Sequence, residues 1–397
     1  MNKTSVRDID VEGKRVLVRV DFNVPLDEKT GEITDDSRIQ ATLPTIKYLI
    51  GHMARVILIS HLGRPKGKVI DKLRLTIVAR RLSQLLGQPV GAATDCIGPE
   101  IEKSAETLNN GDVLLLENVR FHPEEEGNDA SFAQALAQLG DIYVNDAFSA
   151  SHRAHASITG IANYLPAVAG LLLEKEIKTL GGILGNPAHP FAVLLGGAKI
   201  SDKIGMLENI RDKVDSLLIG GGMAATLLRA KSYETGLSIV EEDKLEFVTQ
   251  LMKEITQKGT CLVLPIDVVI ADSLSAEATY KIVPIDKIPP DAMIVDIGPG
   301  TIDIFSQELK KCRTTFWNGP MGIYEIPQFA AGTKIMARTI ANLKATTVIG
   351  GGSTAEAVIE MELADKMNFV STGGGASLRF LSGKALPGIE VLMDKDE

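Results

Sequence analysis

Arg38, His61, Arg64, Arg120 and Arg153, all in the first half of the chain, are the residue types that hold an anion. An arginine presents a planar fork of donors that matches the paired oxygens of a carboxylate or a phosphate. His61, Arg64, Arg120 and Arg153 follow the apolar runs of RVILISHLGR, DVLLLENVRF and DIYVNDAFSASHR, and RVLVRVDFN ends in Asp21 and Asn23. Converging on one sheet edge, these groups would hold a small ligand that carries both kinds of oxygen pair. Each taken singly is also what a solvated surface charge looks like. Their shared position after strand-like runs is what favours a site.

The second half places glycines where the first places charges. LLGGAKISDK, residues 194–203, ends an apolar run in Gly196-Gly197, puts Lys199 in the turn and predicts a helix from about Ser201. Glycines let phosphate oxygens approach backbone N–H groups, and a helix N-terminus favours negative charge. Lys199 could neutralise charge on a phosphoryl group in transfer. Glycine triplets follow at 220–222, 350–352 and 373–375, each between an apolar run and a helical pattern. Read alone, each of these motifs is also a tight turn. Ser353 and Glu356 make an S-x-x-E box, which predicts Ser353 as a helix N-cap. WNGPMGIYE holds the only Trp and then Glu325, either a solvated carboxylate or one that accepts from ribose hydroxyls. Neither GxxxxGK[ST] nor GxGxxG occurs, which counts against a Walker loop and a nicotinamide-dinucleotide fold.

The elements that must position these residues are short. The apolar runs are rich in Val, Ile and Leu and lack period-two alternation, as strands buried on both faces of a parallel sheet do. Segments such as SFAQALAQL and DKLEFVTQLMKEITQ carry helical periodicity between them. This alternation predicts an α/β chain of two doubly wound parallel-sheet (Rossmann-like) domains. LLLEKEIKTLGGIL, from Leu171 to Leu184, reads as a long helix between the halves, so the expected domains are 1–170 and 171–397.

The bulk numbers narrow the function. The chain has 397 residues, long enough for two ordinary domains, and a net charge of −9, which argues against a nucleic-acid partner. Cys96, Cys261 and Cys312 stand far apart, with no spacing that suggests a zinc site or a disulfide framework. The polar first residues lack the apolar core of a leader, and no run reaches the roughly 18–20 apolar residues of a membrane span. A cytoplasmic location is expected.

VRVDFNVP, SHLGRP, ENVRF, VNDAF-x-x-x-HRAHAS, LGGAK-x-x-DKI, WNGPMG and STGGGASL together resemble the phosphoglycerate kinase family over nearly the whole chain. The resemblance implies 3-phosphoglycerate/1,3-bisphosphoglycerate and ADP/ATP as ligands, on domains that face each other across a hinged cleft. It implies glycerate binding by Asp21, Phe22, Asn23, Arg38, His61, Leu62, Gly63, Arg64, Arg120 and Arg153. It implies nucleotide binding, as the Mg²⁺ complex, by Gly197, Lys203, Ile294, Asn318, Glu325, Gly351, Gly352, Ser353 and Thr354. Arg38, Lys199, Gly351 and Gly374 would surround the phosphoryl group in flight. The C-terminal segment is expected to return to the N-domain, and the enzyme to be a monomer. Three positions depart from the family's usual pattern. Ser353 stands where an Asp helps hold magnesium, so no direct metal ligand is assigned. Ile294 and Ser149 stand where glycines are usual. The competing expectations are a catalytically impaired binding protein on the same scaffold and, on the α/β pattern alone, a nicotinamide dehydrogenase.

Overall fold

The computed structural model describes residues 2–395. The chain divides into two compact units, one running to Gly181 and resuming at Ala385, the other spanning Gly182–Lys384.

The first unit is built on a parallel sheet of β1 (Arg15–Arg19), β2 (Arg55–Ile59), β3 (Val90–Ala92), β4 (Val113–Leu115), β5 (Ile142–Asn145) and β6 (Ala167–Ala169), in the order β3-β4-β2-β1-β5-β6. Helices α1 (Ser37–Gly51), α2 (Thr76–Leu86), α3 (Pro99–Glu106), α4 (Pro123–Glu126) and α5 (Ala130–Ala137) connect the strands. Apolar residues of RVLVR lie buried on both faces, which is why β1 shows no alternation. Val16, Val18, Val56, Leu58 and Val144 meet Ile39, Ile46 and Leu49 of α1 in one core. The order reverses at β1, with β2 on one side and β5 on the other, so a crevice opens outside the carboxyl ends of these strands.

α6 (Leu171–Gly185), the helix read between the halves, carries the chain into the second unit. That unit has its own parallel sheet of β7 (Phe191–Leu195), β8 (Ser216–Ile219), β9 (Cys261–Val263), β13 (Thr314–Asn318), β14 (Thr346–Gly350) and β15 (Phe369–Val370), in the order β15-β14-β13-β7-β8-β9. Its reversal lies between β7 and β13. The helices are α7 (Ile204–Ile210), α8 (Met223–Ala230), α9 (Leu245–Gln257), α10 (Pro299–Leu309), α11 (Ala331–Ala341), α12 (Gly352–Glu360) and α13 (Gly375–Leu381). α9 buries Val248, Leu251 and Ile255, one apolar stripe of an amphipathic helix.

Two readings of the sequence need correction here. CLVLPIDVVIA and MIVDIGPG are further apolar runs of the kind read above as strands of a parallel sheet. Only Cys261–Val263 joins it, and β10 (Asp267–Ala271) pairs antiparallel with β11 (Tyr280–Pro284) and β12 (Met293–Ile297) in a separate sheet. Pro265, which has no N–H for a ladder, divides the run. The helix expected from Ser201 begins as a 3-10 turn, Ser201–Lys203, and becomes α-helical at Ile204.

α14 (Pro387–Glu390) belongs to the first unit. Asn145 Nδ2 donates to Gly388 O at 2.8 Å, Met393 N–H donates to Ala167 O at 2.9 Å, and Thr4 N–H donates to Met393 O at 2.9 Å. No helix of the described residues is long and apolar enough to cross a membrane.

Candidate functional site

In the first unit the crevice at β1, β2 and β5 collects side chains of the kind that bind anions. Asp21 leaves β1, His61 leaves β2, Arg120 sits in the 3-10 turn Val119–Phe121 after β4, and Arg153 follows the 3-10 turn after β5. Arg38 stands in the first turn of α1 and forms an ion pair with Asp21, which also accepts from the Ser149 hydroxyl. Burial disfavours ionised Asp21, but His61, then Arg38, the Ser149 hydroxyl and Arg19, hold its carboxyl well below the usual range. Asn23 Oδ1 accepts from Gly63 N–H at 2.7 Å and so ties the β1 exit to the β2 exit. Arg120 donates to Gly63 O at 2.9 Å, and its buried Nε, which makes no hydrogen bond, lies 3.4 Å from Glu126 Oε1 in an ion pair. Burial, then Arg153 and Arg19, lower its guanidinium to about 10. A buried cation that Arg153 and Arg19 repel more than Glu126 and Glu125 offset is a position that an anion would stabilise. Arg64 is exposed, and Phe22 and Leu62 are core side chains that leave only backbone for a ligand.

The sequence reading missed two members of this cluster. Arg19, the last residue of β1, is 1% exposed. Its Nε donates to Ser157 Oγ at 2.9 Å, and that hydroxyl donates to Glu125 Oε1 at 2.7 Å. Its Nη2 lies 3.1 Å from His61 Nδ1. A guanidinium only donates, so Nδ1 must be the acceptor and the His61 proton must sit on Nε2. Burial, with Arg19 next, also holds His61 well below its ordinary value. The result is a neutral imidazole with one N–H to offer. Within an apolar run, Arg19 gave no signal beyond being charged. Ser149 is the second, and its bond to Asp21 gives a role to one of the family departures.

In the second unit the crevice at β7 and β13 is walled by backbone. Gly196 N–H donates to Asn318 O and Gly197 N–H to Pro320 O, at 2.9 and 2.8 Å. Gly197 has φ +87°, and a Cβ there would lie 3.4 Å from Lys203 Nζ. Lys203 is buried, and burial lowers its ammonium despite Asp202 and Glu241. Lys199 is exposed in the turn. Gly351, at φ +91°, lies so close to Asn318 that a Cβ would come within 2.9 Å of Nδ2, an amide nitrogen with no partner of its own. Thr354 Oγ1 accepts from Gly319 N–H at 2.7 Å and is fully buried. Gly374 is at φ +51° before α13.

Gly197, Ile294, Glu325 and Ser353 line a cavity of about 340 Å³, with Leu237, Ile239, Leu274 and Met293 as its apolar wall. The apolar four were not anticipated. They come from loops and from β12 of the antiparallel sheet, whose existence the hydropathy pattern did not reveal. Ile294 N–H donates to Ser238 Oγ at 2.9 Å, so the departure at 294 is built into this wall. The capping-box reading is corrected. α12 starts at Gly352 with Gly351 as N-cap and no side-chain cap bond, which puts Ser353 inside the first turn. The positive φ of Gly351 starts the helix two residues earlier than the box predicts.

The family model for phosphoglycerate kinase matches residues 6–384. The phosphoglycerate kinases of Pelotomaculum thermopropionicum and Moorella thermoacetica are each 53% identical over 395 residues, all of both chains. Solved structures of phosphoglycerate kinase from Coxiella burnetii and Pyrococcus horikoshii superpose with TM-score 0.86, at 40% and 32% identity, over 98% of each chain. Fold and sequence make the chain a phosphotransferase with a carboxyl group as acceptor. It belongs to the phosphoglycerate kinase family.

Proposed function

We infer that the chain interconverts 1,3-bisphosphoglycerate and ADP with 3-phosphoglycerate and ATP. The first unit would hold the glycerate and the second the nucleotide as its Mg²⁺ complex. The observation that carries the assignment is the cluster of Arg38, Arg120, Arg153 and neutral His61 at one sheet edge. A phosphate and a carboxylate on one small molecule need several cations, and the glycerate hydroxyl needs an acceptor such as Asp21. His61 Nε2–H would donate without adding charge.

On the second unit, the apolar wall at Leu237, Ile239, Leu274 and Met293 would take the base, and Glu325 the ribose hydroxyls. Lys203 would face the phosphates beside Gly197. Gly352 and Thr354 frame that loop, and Asn318 Nδ2 remains a donor for an oxygen. The oxygens in the cavity wall nearest to metal-ligand chemistry are the Ser353 hydroxyl and the Glu325 carboxylate. Mg²⁺ would thus arrive on the nucleotide and be held mainly by phosphate and water oxygens.

An oxygen of the ADP β-phosphate attacks the acyl phosphorus in line, and the P–O bond to the carboxylate breaks. Carboxylate is a weak base, so its departure needs no general acid. Arg38, Lys199 and the N–H groups of Gly351 and Gly374 would meet charge on the transferring group. Transfer requires reacting atoms about 3–3.5 Å apart. Hinge bending is the proposed step that brings the ligands together, and small-angle scattering with each ligand and with both would test it. The enzyme is expected to work as a cytoplasmic monomer, without nucleic-acid or membrane partners.

The decisive experiment is a coupled assay with ATP, 3-phosphoglycerate and a magnesium titration. Turnover that depends on all three is expected. Absence of turnover at every magnesium level, with both ligands still bound, would instead favour the impaired scaffold.

A further inference from the structure

β3 and β4 are sheet neighbours, so the loop that leaves β3 and the turn that follows β4 emerge side by side. Ala93 N–H donates to Leu115 O at 2.9 Å, and Glu117 N–H donates to Asp95 O at 3.3 Å. This stitching brings Asp95 and Cys96 to His122. A carboxylate oxygen, the sulfur and a ring nitrogen there all lie within 4.8 Å of one another. Cys96 is 0% exposed and forms the floor, while the Asp95 and His122 side chains, 51% and 26% exposed, form the rim. The groups are already oriented. Asp95 Oδ1 accepts from Cys96 N–H at 2.7 Å and lies 2.7 Å from His122 Nε2. The His122 ring is tilted against Phe132, centroid to centroid 5.1 Å.

We propose that Asp95, Cys96 and His122 form a binding site for a thiophilic divalent cation of the Zn²⁺ kind, with water as the fourth ligand. Thiolate, imidazole and carboxylate are the three ligand types that Zn²⁺ takes, and three protein ligands with one open position is a recurrent zinc geometry. Sulfur disfavours Mg²⁺ and Ca²⁺, which want oxygen, so this site would not compete for the metal of the nucleotide. Bonds of about 2.0–2.3 Å set ligand-to-ligand edges of roughly 3.3–3.8 Å in a tetrahedron. Rotation of the His122 ring and the Asp95 carboxylate, both on the open rim, can open their 2.7 Å contact and bring the longer separations, up to 4.8 Å, to that size. The cation enters between Asp95 and His122 and displaces their hydrogen bond, the Nε2 proton passes through solvent to Nδ1, the sulfur becomes a ligand, and the thiol proton leaves to solvent.

Twenty-five residues separate Cys96 from His122, so no spacing rule finds the cluster in the sequence. It also stands apart from the anion cluster, at the β3–β4 end of the strand order. The segment from Val119 to Glu126 serves both, carrying Arg120 and then His122, so a bound cation would fasten the turn that holds Arg120.

The test uses the full chain, stripped with a chelator, and Co²⁺ alone as the probe. One equivalent of Co²⁺ should give a thiolate-to-cobalt band in the near ultraviolet and the intense visible bands of four-coordinate Co(II). Added Zn²⁺ should bleach them. Cys96→Ser should abolish the thiolate band, and His122→Asn and Asp95→Asn, both on the exposed rim, should weaken Co²⁺ binding at least about tenfold. Cys261→Ser, at the exposed thiol, should leave the spectrum unchanged. Circular dichroism and turnover of each variant confirm that it is folded. No band at one equivalent, a band that survives Cys96→Ser, or a band lost in Cys261→Ser would each overturn the assignment.

Discussion

The two units line the reversal point of a parallel sheet with opposite materials. The first uses side chains. Asp21, Arg38, Arg19, His61, Arg120 and Arg153 hold and bias one another before any ligand arrives. The second uses the absence of side chains, with Gly197 and Gly351 in left-handed backbone and neighbouring atoms where a Cβ would go. The difference teaches what each can discriminate. A fork of guanidinium groups reads the number and spacing of charges on a small molecule. Bare backbone accepts any phosphate that reaches it, and would leave selection of a nucleotide to the cavity wall.

Removing charge should break the first unit's side of the comparison most severely. Arg38→Ala should lower kcat by about two to three orders of magnitude and weaken 3-phosphoglycerate binding, while Arg38→Lys recovers part of the loss. In the second unit, Lys199→Ala should likewise lower kcat much more than it raises either KM, because it meets charge that develops in transfer. Steady-state kinetics on both substrates checks this, and near-normal kcat in either alanine variant refutes its role.

Adding atoms should break the second unit. Gly351→Ala forces a side chain onto φ +91° and toward Asn318 Nδ2, at a cost of roughly 1–3 kcal/mol. The expected result is a raised nucleotide KM with glycerate affinity untouched, measured by calorimetry with each ligand. Equal losses for both ligands would show that backbone and side-chain reading are not separable.

One feature is common to both units, a buried carboxylate at a helix N-terminus. Asp146 accepts from Leu172 and Leu173 N–H of α6, and Asp296 accepts from Gly332 N–H of α11. Burial pushes each carboxyl up to about 7 against those donors. A raised folded pKa means that the folded state holds protons the unfolded state has released. The stability each group contributes is therefore full below about pH 4 and is lost as pH rises to about 7. Asp296→Asn should abolish this loss, so its stability relative to wild type should improve between pH 4.5 and pH 7.5 by on the order of 1–3 kcal/mol, read as a rising Tm difference. Parallel Tm curves would mean that Asp296 stays ionised throughout.

Arg19→Gln sharpens the side-chain half of the contrast. It keeps a donor for His61 Nδ1 but removes the charge, so the His61 pKa should rise and appear in the acid limb of kcat/KM for 3-phosphoglycerate. An unchanged limb would deny Arg19 its positioning role. The smallest effect is expected at Ser353. Asp is favourable in the first turn of a helix, so Ser353→Asp should not cost stability, and it should lower the magnesium needed for half-maximal rate by a few-fold. Superimposed rate curves would remove Ser353 from the neighbourhood of the metal.

The parts legible in the sequence are those encoded by composition over a few residues. Val, Ile and Leu runs without alternation marked both parallel sheets, and α6 matches its predicted span within a residue. What stayed hidden depends on partners far along the chain. Nothing in DVVIA says that its neighbours run antiparallel, because ladder direction leaves no mark on hydropathy. Arg19 looked like one charge in an apolar run until Ser157 and His61 closed around it. Phe22 and Leu62 lie within the motif stretches, yet their side chains belong to the core. The helix at Gly352 starts before the box at Ser353 because backbone geometry overrode the local side-chain signal.

The return of residues 385–395 sets an order of assembly. The second unit is one uninterrupted stretch and can close as soon as it has been synthesised. The first is discontinuous. Gly388 and Met393, which bond to Asn145, Ala167 and Thr4, leave the ribosome after the whole second unit. Until then Asn145 Nδ2 has the Ser151 hydroxyl but not the Gly388 carbonyl, and Ala167 of β6 lacks Met393, although Ala169 is already paired with Thr4 and Val6; the final join closes a loop of more than two hundred residues. Loop entropy rises only logarithmically with length, so this long-range seal is thermodynamically cheap, but it is late. A nonsense codon at Ala385 would therefore spare the later-made unit and leave the earlier-made one unfinished.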